Sequence, residues 1–158
     1  MGHTHHWRYQ PNNPAWAAVW PSLIHDTTRI VQEVSRTVAL AGPGRDGPPV
    51  IDAMSGIAFN GVDDAGCDSF LLPAPGPQRR HWFYCNTHRL PYDLAVTATL
   101  LRCHLLAPET FVIGGDGSWH RDWRPARDLV RRLFGHDTDR VPLTDTTAGL
   151  TVEQLLGL

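Results

Sequence analysis

The run LPYDLAVTATLLRCHLLAP, residues 90–108, most constrains how this chain of 158 residues can fold. It is apolar almost all the way round a helix, and its stretch LAVTATLL carries no charge. A helix that is apolar on every side must lie in the interior, because no face of it meets water favourably. Pro91 fits the first turn, and Ala107 followed by Pro108 ends the segment. The sequence therefore predicts a central helix covered by other elements.

Two further helices are predicted, one on each side of this segment in the chain. The first begins at Asn13, which caps it ahead of Pro14, and its apolar residues recur every three or four positions as far as Val38. Pro21 is expected to kink this helix or to split off its first turn. The other helix spans DWRPARDLVRRLFG and ends at Gly135. Both helices are expected to cover one face of a sheet.

Four strand segments separate the helices. They are VIDAMSGIAFNG, CDSFLLPAP, HWFYCNTH and TFVIGGDGSW. In the first two, Ile57 and Phe59, and then Phe70 and Leu72, fit a half-buried antiparallel pair. Three consecutive strands before a helix favour an α+β domain with a mainly antiparallel sheet. We therefore predict about four strands and three main helices in the order α-β-β-β-α-β-α.

The two ends of the chain are expected to differ. Thr151 and Gln154 form a capping-box pattern, which predicts a short C-terminal helix. Residues 1–12 are predicted to be a flexible, His-rich tail, and residues 13–158 a single α+β domain. The histidines of the tail are His3, His5 and His6. Such a cluster can hold copper or nickel adventitiously, so it is not counted as a functional site.

Composition excludes several classes of function. The chain has no lysine, so all fourteen of its Lys-plus-Arg residues are arginine. Walker A phosphate loops, pyridoxal or aldolase-type Schiff bases and Ser–Lys nucleophiles all need a lysine. The formal net charge of −2 gives no overall field that would attract nucleic acid or an anionic membrane. Nucleic acid and membrane are therefore not expected as partners, and no cofactor is predicted.

The cysteines and the length of the apolar runs suggest a compartment. The three cysteines are Cys67, Cys85 and Cys103. An odd, small number without a signal peptide argues against a secreted disulfide scaffold. The apolar runs fall far short of the ~20 residues that span a bilayer. A cytoplasmic protein is the expectation.

The segment YCNTHRLPYD, residues 84–93, has a structural and a functional interpretation. Structurally, Asp93 would stand near the third residue of the central helix and accept free backbone N–H groups. Cys85 would point inward as a small strand residue. Functionally, a strand that leads into a helix N-terminus is a site for an anion, here with Arg89 beside it and hydroxyls from Thr87 and Tyr92. Both interpretations remain open.

Three sharper alternatives have weaker support. Cys85 and His88 could form a nucleophile and base, and Asp63 with Asp64 could do acid–base work, although a turn explains the aspartates. A metal site would combine Cys85 and His88 with other ligands, but the spacing is unlike recognisable zinc sites, so none is predicted. Those other ligands would come from Cys67, His81, Cys103 and His104.

Arginines line one side of the third helix. They are Arg124, Arg127 and Arg131, with Trp119 and Trp123 just ahead of them. Basic and aromatic groups together can grip nucleic acid. Acidic residues interrupt the stripe and can pair with arginines one turn away. A solvated helix face is therefore the plainer interpretation.

Several motifs resemble a family of small uncharacterised proteins of actinobacteria and their bacteriophages. The matching parts are Phe59-Asn60-Gly61, Asp63-Asp64, Cys85 to Asp93 and Gly115-Asp116-Gly117. The resemblance covers most of residues 14–135, while Asn86 and His88 stand where the family often has another, basic residue. The family has no assigned activity, so the resemblance implies only an accessory protein of a mobile element in the bacterial cytoplasm.

The leading hypothesis is a non-enzymatic protein that binds a small anionic or nucleotide-like ligand, or a protein partner. The candidate ligand-binding residues are Cys85, Thr87, Arg89, Tyr92, Asp93, Asn60, Asp64 and Asp116. One alternative is a small enzyme that uses Cys85 with His88, or the pair Asp63 and Asp64. Another is a structural subunit of an assembly, anchored by exposed tryptophans, and the sequence leaves a homo-oligomer open.

Overall fold

The computed structural model describes residues 2–136 and 140–158 and shows an α+β fold with antiparallel sheets, as predicted. The strands are β1 (Thr4–Arg8), β2 (Leu40–Ala41), β3 (Val50–Asp52), β4 (Gly56–Gly61), β5 (Phe70–Leu72), β6 (Trp82–Asn86) and β7 (Val112–Gly115). The helices are α1 (Pro14–Val34), α2 (Asp93–Leu106), α3 (Arg124–Phe134) and the short α4 (Val152–Leu156). No helix of the described residues is long and apolar enough to cross a membrane.

The first sheet has three strands in the order β6-β1-β7, and β1 is its middle strand. β1 pairs antiparallel with both neighbours, so that His5 lies opposite Cys85 on one side and Gly115 on the other. The prediction that residues 1–12 form a flexible tail is therefore wrong for the residues of β1. The physical reason is that the strand fills the gap between β6 and β7 and satisfies the backbone groups of both.

Alternation along β1 explains why this segment is a strand. His5 and Trp7 point inward and are fully buried, and the preceding His3 is buried on the same side. Trp7 packs against Phe70 and Phe83, with ring centroids 5.2 and 6.2 Å away. The large apolar area of this tryptophan ties the strand to both sheets.

The second sheet orders its strands β2-β4-β3, and β5 also pairs with β4. The predicted pair is confirmed in register, because Ile57 lies opposite Leu72 and Phe59 opposite Phe70. The segment VIDAMSGIAFNG forms two strands rather than one. The carboxylate of Asp52 accepts backbone N–H bonds from the next turn, which lets β3 fold back on β4.

The helices pack as the sequence predicts, with α2 in the interior. Most of α2 is buried from Ala95 to Cys103, and both α1 and α3 contact it. A buried ion pair joins α1 to α2, since Arg102 Nε donates to Asp26 Oδ2 at 2.8 Å. α1 is not split at Pro21, and it ends at Val34 rather than near Val38.

The three tryptophans nearest the N-terminus belong to the core rather than to an exposed surface. Trp16 and Trp20 are buried along α1 as part of an aromatic cluster with Tyr9 and Phe111. Trp7 is buried as well. The suggestion that exposed tryptophans anchor an assembly is therefore wrong, because these three side chains are already enclosed by the chain's own residues.

The position of β1 can be tested by truncating its central tryptophan. Trp7→Ala should lower the free energy of unfolding by ~3–5 kcal/mol, since it removes a fully buried indole from a packed core. Urea denaturation followed by circular dichroism measures the change. Tyr84→Ala, at a side chain 51% exposed on β6, should cost less than about 1 kcal/mol. Equal effects at the two sites would contradict the inward position of Trp7.

Candidate metal centre

Two histidines and one carboxylate meet where β1 lies beside the start of α2. His3 and His5 come from the beginning of the chain and Asp93 is the first residue of α2. The three ligand atoms that these side chains offer lie within 4.8 Å of one another. Imidazole nitrogens and a carboxylate oxygen are common ligands for divalent transition metals. The group, called the His3–His5–Asp93 cluster below, is therefore a candidate metal centre.

One carboxylate oxygen is the meeting point of the cluster. His5 Nε2 donates to Asp93 Oδ1 at 2.6 Å, and the Thr87 hydroxyl donates to the same oxygen at 2.5 Å. His3 Nε2 lies 4.0 Å from it, too far for a hydrogen bond. Asp93 therefore does not cap α2 as predicted, because its side chain is turned toward β1 instead.

Backbone hydrogen bonds hold the two histidines in place. His3 N donates to Asn86 Oδ1 at 3.0 Å, and Thr87 N donates to the carbonyl of His3 at 3.0 Å. On the other side, Thr4 N donates to Asp116 Oδ2 at 3.0 Å. The start of β1 is thus fixed by both neighbouring segments, which presents the imidazoles to Asp93 in a defined orientation.

His3 has a buried ring nitrogen, Nδ1, without a hydrogen-bond partner. Its side chain is 2% exposed, its Nδ1 is unpaired, and no hydrogen bond to its ring is present among the described residues. The Nδ1 of His5, a residue 0% exposed, is also unpaired. The two rings pack edge to face with centroids 4.8 Å apart, and His5 packs in the same way against Trp123 at 5.4 Å. A buried imidazole without partners is costly, so these nitrogens call for an explanation.

The protonation states of His3 and Asp93 favour binding of a cation. Burial lowers the pKa of His3, helped by the nearby His5, so the ring is neutral at physiological pH. Burial alone would raise the pKa of Asp93, but the hydrogen bonds from His5 and Thr87 outweigh it and the pKa falls below its ordinary value. A neutral imidazole and an ionised carboxylate are the forms that bind metals.

A turn beside the cluster has an unusual backbone. His88 and Arg89 have positive φ angles of 55° and 58°, a conformation that residues with a Cβ seldom adopt. Arg89 then reaches Asp122, with Nη1 2.6 Å from Oδ1, and the Asp122 carboxylate also accepts from Ser118 N. The ion pair connects the turn before α2 with the turn before α3 on the side nearest His3.

The structure separates the remaining residues of the predicted site into packing and surface roles. Cys85 is fully buried, its Sγ donates to the Asp68 carbonyl, and burial raises the pKa of its thiol far above the ordinary value. Tyr92 is buried too, and its hydroxyl donates to the same carbonyl at 2.6 Å. Burial of Cys85 therefore argues against its use as a nucleophile, because desolvation disfavours the thiolate form.

The predicted anion site has its donors engaged elsewhere. The first backbone N–H groups of α2 donate to carbonyls of the preceding turn, such as Asp93 N to Leu90 O and Ala95 N to Tyr92 O. Arg89 is paired with Asp122. At this junction Thr87 is hydrogen-bonded to Asp93, and Asp93 also accepts from His5.

Hydrogen bonds of the Asn60 side chain hold the turn after β4 together. Asn60 bonds through both side-chain atoms, donating to the Cys67 carbonyl and accepting from Gly61 N and Cys67 N. Asp63 and Asp64 are exposed on a short 3-10 turn. None of the hydrogen bonds within residues 2–136 and 140–158 joins these two carboxylates to the His3–His5–Asp93 cluster.

The metal ligands considered from the sequence do not converge. Cys103 is buried inside α2, whereas the neighbouring His104 donates from Nδ1 to the Phe111 carbonyl at 2.8 Å. The expectation of no metal site depended on the spacing of these residues and on treating His3 and His5 as tail residues. The alternation His-x-His-x-Trp was the signal that could have placed both imidazoles on the inner face of a strand.

Differences in thiol burial predict different reactivity, and alkylation of the native protein measures it. Iodoacetamide should modify Cys67, which is partly exposed, and should leave Cys85 and Cys103 intact until denaturant is added. Peptide mass spectrometry assigns the modified residue. Rapid native alkylation of Cys85 would restore the nucleophile hypothesis.

The buried histidines should make stability depend on pH. The pKa values of His3 and His6 are lowered, mainly by burial, below the value of 6.5 that unfolded histidine has. The unfolded state therefore binds more protons below that pH, and the free energy of unfolding should fall as pH falls from 7.5 toward 5.5. Urea titrations in the presence of EDTA measure the slope.

The matched variant for this pH dependence is His3→Gln, which removes one titrating group from the native cluster. It should flatten the slope between these pH values. A slope equal to that of the wild-type protein would show that His3 titrates normally in the folded state.

Comparisons with known proteins return no relative. The sequence matches no family model, and no curated protein or solved structure matches it either. The inference of function therefore depends on the geometry of the His3–His5–Asp93 cluster.

Proposed function

We propose that the protein binds a divalent transition-metal ion through His3, His5 and Asp93. The proposal belongs to the class of binding proteins favoured by the sequence, with a cation in place of the anionic ligand. Two imidazoles and a carboxylate suit zinc, iron(II), cobalt or nickel, whereas magnesium and calcium prefer oxygen ligands alone. With three protein ligands, such an ion keeps a coordination position for water or a small molecule.

The single observation that carries the proposal is the unpartnered ring of His3. Hydrogen bonds explain the position of His5, since its Nε2 and the hydroxyl of Thr87 both donate to Asp93. It does not explain why a second imidazole is buried at 4.0 Å from the same oxygen. A buried polar group without a partner costs ~1–3 kcal/mol, and coordination would give this ring its first polar partner among the described residues.

Metal binding must replace the hydrogen bond between His5 and Asp93 with coordination bonds. Two ligands at ~2.0–2.1 Å from a tetrahedral ion lie about 3.4 Å apart. The distance of 2.6 Å between His5 Nε2 and Asp93 Oδ1 must therefore widen, and the proton between them must leave Nε2. The Nδ1 groups of both histidines have no acceptor, and loss of such outer contacts typically costs ~10–100-fold in affinity. We therefore propose a site of moderate affinity.

Binding is proposed rather than catalysis because the neighbouring groups are already engaged. The thiol of Cys85 is desolvated, and the hydroxyl of Thr87 donates its proton to Asp93. Neither can act as a nucleophile in this arrangement.

Removing one imidazole tests the proposal. The protein, stripped with EDTA and then titrated with Co²⁺ or Zn²⁺, should bind one ion by native mass spectrometry, and Co²⁺ should show visible absorption bands. His3→Gln should weaken binding at least ~100-fold, since it removes a ligand rather than an outer contact. This variant is chosen because the His3 ring makes no hydrogen bonds among the described residues that the change would break.

His6→Gln is the matched control. His6 neighbours the cluster in sequence but points to the opposite face of β1, where Nδ1 lies 2.6 Å from Thr146 Oγ1. This variant should bind the ion like the wild-type protein. Equal loss in both variants would indicate adventitious binding by clustered histidines, and absence of binding by the native protein would refute the proposal.

A further inference from the structure

A second polar site lies on the exposed side of α3. A cleft of about 310 Å³ is lined by His120, Arg124, Arg127, Asp128 and Arg131. The three arginines recur at intervals of three and four residues, so they lie on one face of the helix. The opposite face carries Ala126, Leu129 and Val130, which are buried.

Arg127 distinguishes this cleft from an ordinary solvated helix face. Its guanidinium carbon lies 4.7 Å from the centre of the Trp119 ring. Its Nε is buried and has no hydrogen-bond partner, and among the described residues the side chain forms no ion pair. A cation–π contact at this distance limits the movement of the guanidinium group. The cleft thus contains a positioned cation whose hydrogen-bonding capacity is not used within the described structure.

The carboxylate in the cleft competes only weakly for the arginines. Asp128 lies 3.6 Å from Arg131 and 4.0 Å from Arg124, with both partners and the aspartate well exposed. Exposed ion pairs one helical turn apart stabilise a helix only slightly. An incoming anion with more than one charge can therefore displace these contacts.

We propose that this cleft binds the phosphate group of a small phosphorylated ligand. Arginines bind phosphate through paired, charge-assisted hydrogen bonds, and three guanidinium groups surround the cleft. Its volume is at the lower end of the ~300–1,000 Å³ typical of small-molecule sites. The size and the overall formal charge of −2 favour a small molecule over a nucleic-acid strand, which needs an extended basic track. The proposal is independent of the metal centre.

Aromatic contacts provide a spectroscopic probe for the cleft. The indole of Trp119 lies under Arg127, and Trp119 and Trp123 have ring centroids 5.8 Å apart. Indole N–H resonances in a ¹⁵N–¹H spectrum can therefore be followed while inorganic phosphate or adenosine monophosphate is added at low salt, with Trp119→Phe to assign the signal. Saturable shifts of the Trp119 resonance are expected with both additives.

Arg127→Gln should weaken binding of adenosine monophosphate by about tenfold or more, as loss of a charge-assisted contact implies. Arg36→Gln is the control, because Arg36 is an exposed arginine paired with Glu33 on α1. It should bind like the wild-type protein. Both variants should unfold at the same urea concentration as the wild type, which separates lost binding from lost folding.

Three results would overturn the proposal. The first is an absence of saturable shifts with both additives, and the second is equal shifts in Arg127→Gln and the wild type. The third is binding of a single-stranded oligonucleotide without binding of adenosine monophosphate, which would assign the arginines to a nucleic-acid surface instead.

Discussion

Insertion of β1 between β6 and β7 is the constraint on which the rest of the structure depends. The strand pairs with β6 over its whole length and with β7 from His5 to Arg8, and it carries the buried indole of Trp7 toward the second sheet. It also brings His5 next to Asp93, 88 residues away in the chain. Because the backbone pairing fixes the side chains, the core and the candidate metal centre are consequences of the same strand.

The parts of the fold that local sequence determines could be predicted. The apolar surface of α2 placed it inside, the alternation of Ile57 and Phe59 gave the pairing with β5, and Gly135 ended α3 with a φ of 70°. β1 was missed because its polar residues resemble a solvated tail. Histidine is ambiguous in such patterns, since a neutral imidazole can be buried whereas a charged one cannot.

Only part of the candidate site could be predicted from the sequence, for a related reason. Thr87 and Asp93 stood out as polar groups at a strand–helix junction; Asp93 belongs to the cluster, and Thr87 donates a hydrogen bond to it. A carboxylate at a helix start can satisfy either backbone N–H groups or a distant side chain, and local sequence does not decide between them. Here the carboxylate of Asp93 bonds to the distant side chain, because the buried imidazole of His5 requires a hydrogen-bond partner. Cys85 and Tyr92 were equally prominent, yet they complete the packing.

The closed hydrogen bond between His5 and Asp93 determines how an ion would act on this fold. In small zinc domains the unbound chain is unfolded, because no other interaction holds the ligands together. Here β1 is already paired on both sides, and His5 already has an acceptor. The chain can therefore fold first and then bind the ion by replacing one hydrogen bond. In this order, His3 is the residue whose environment changes most, because coordination provides the first polar partner for its ring among the described residues.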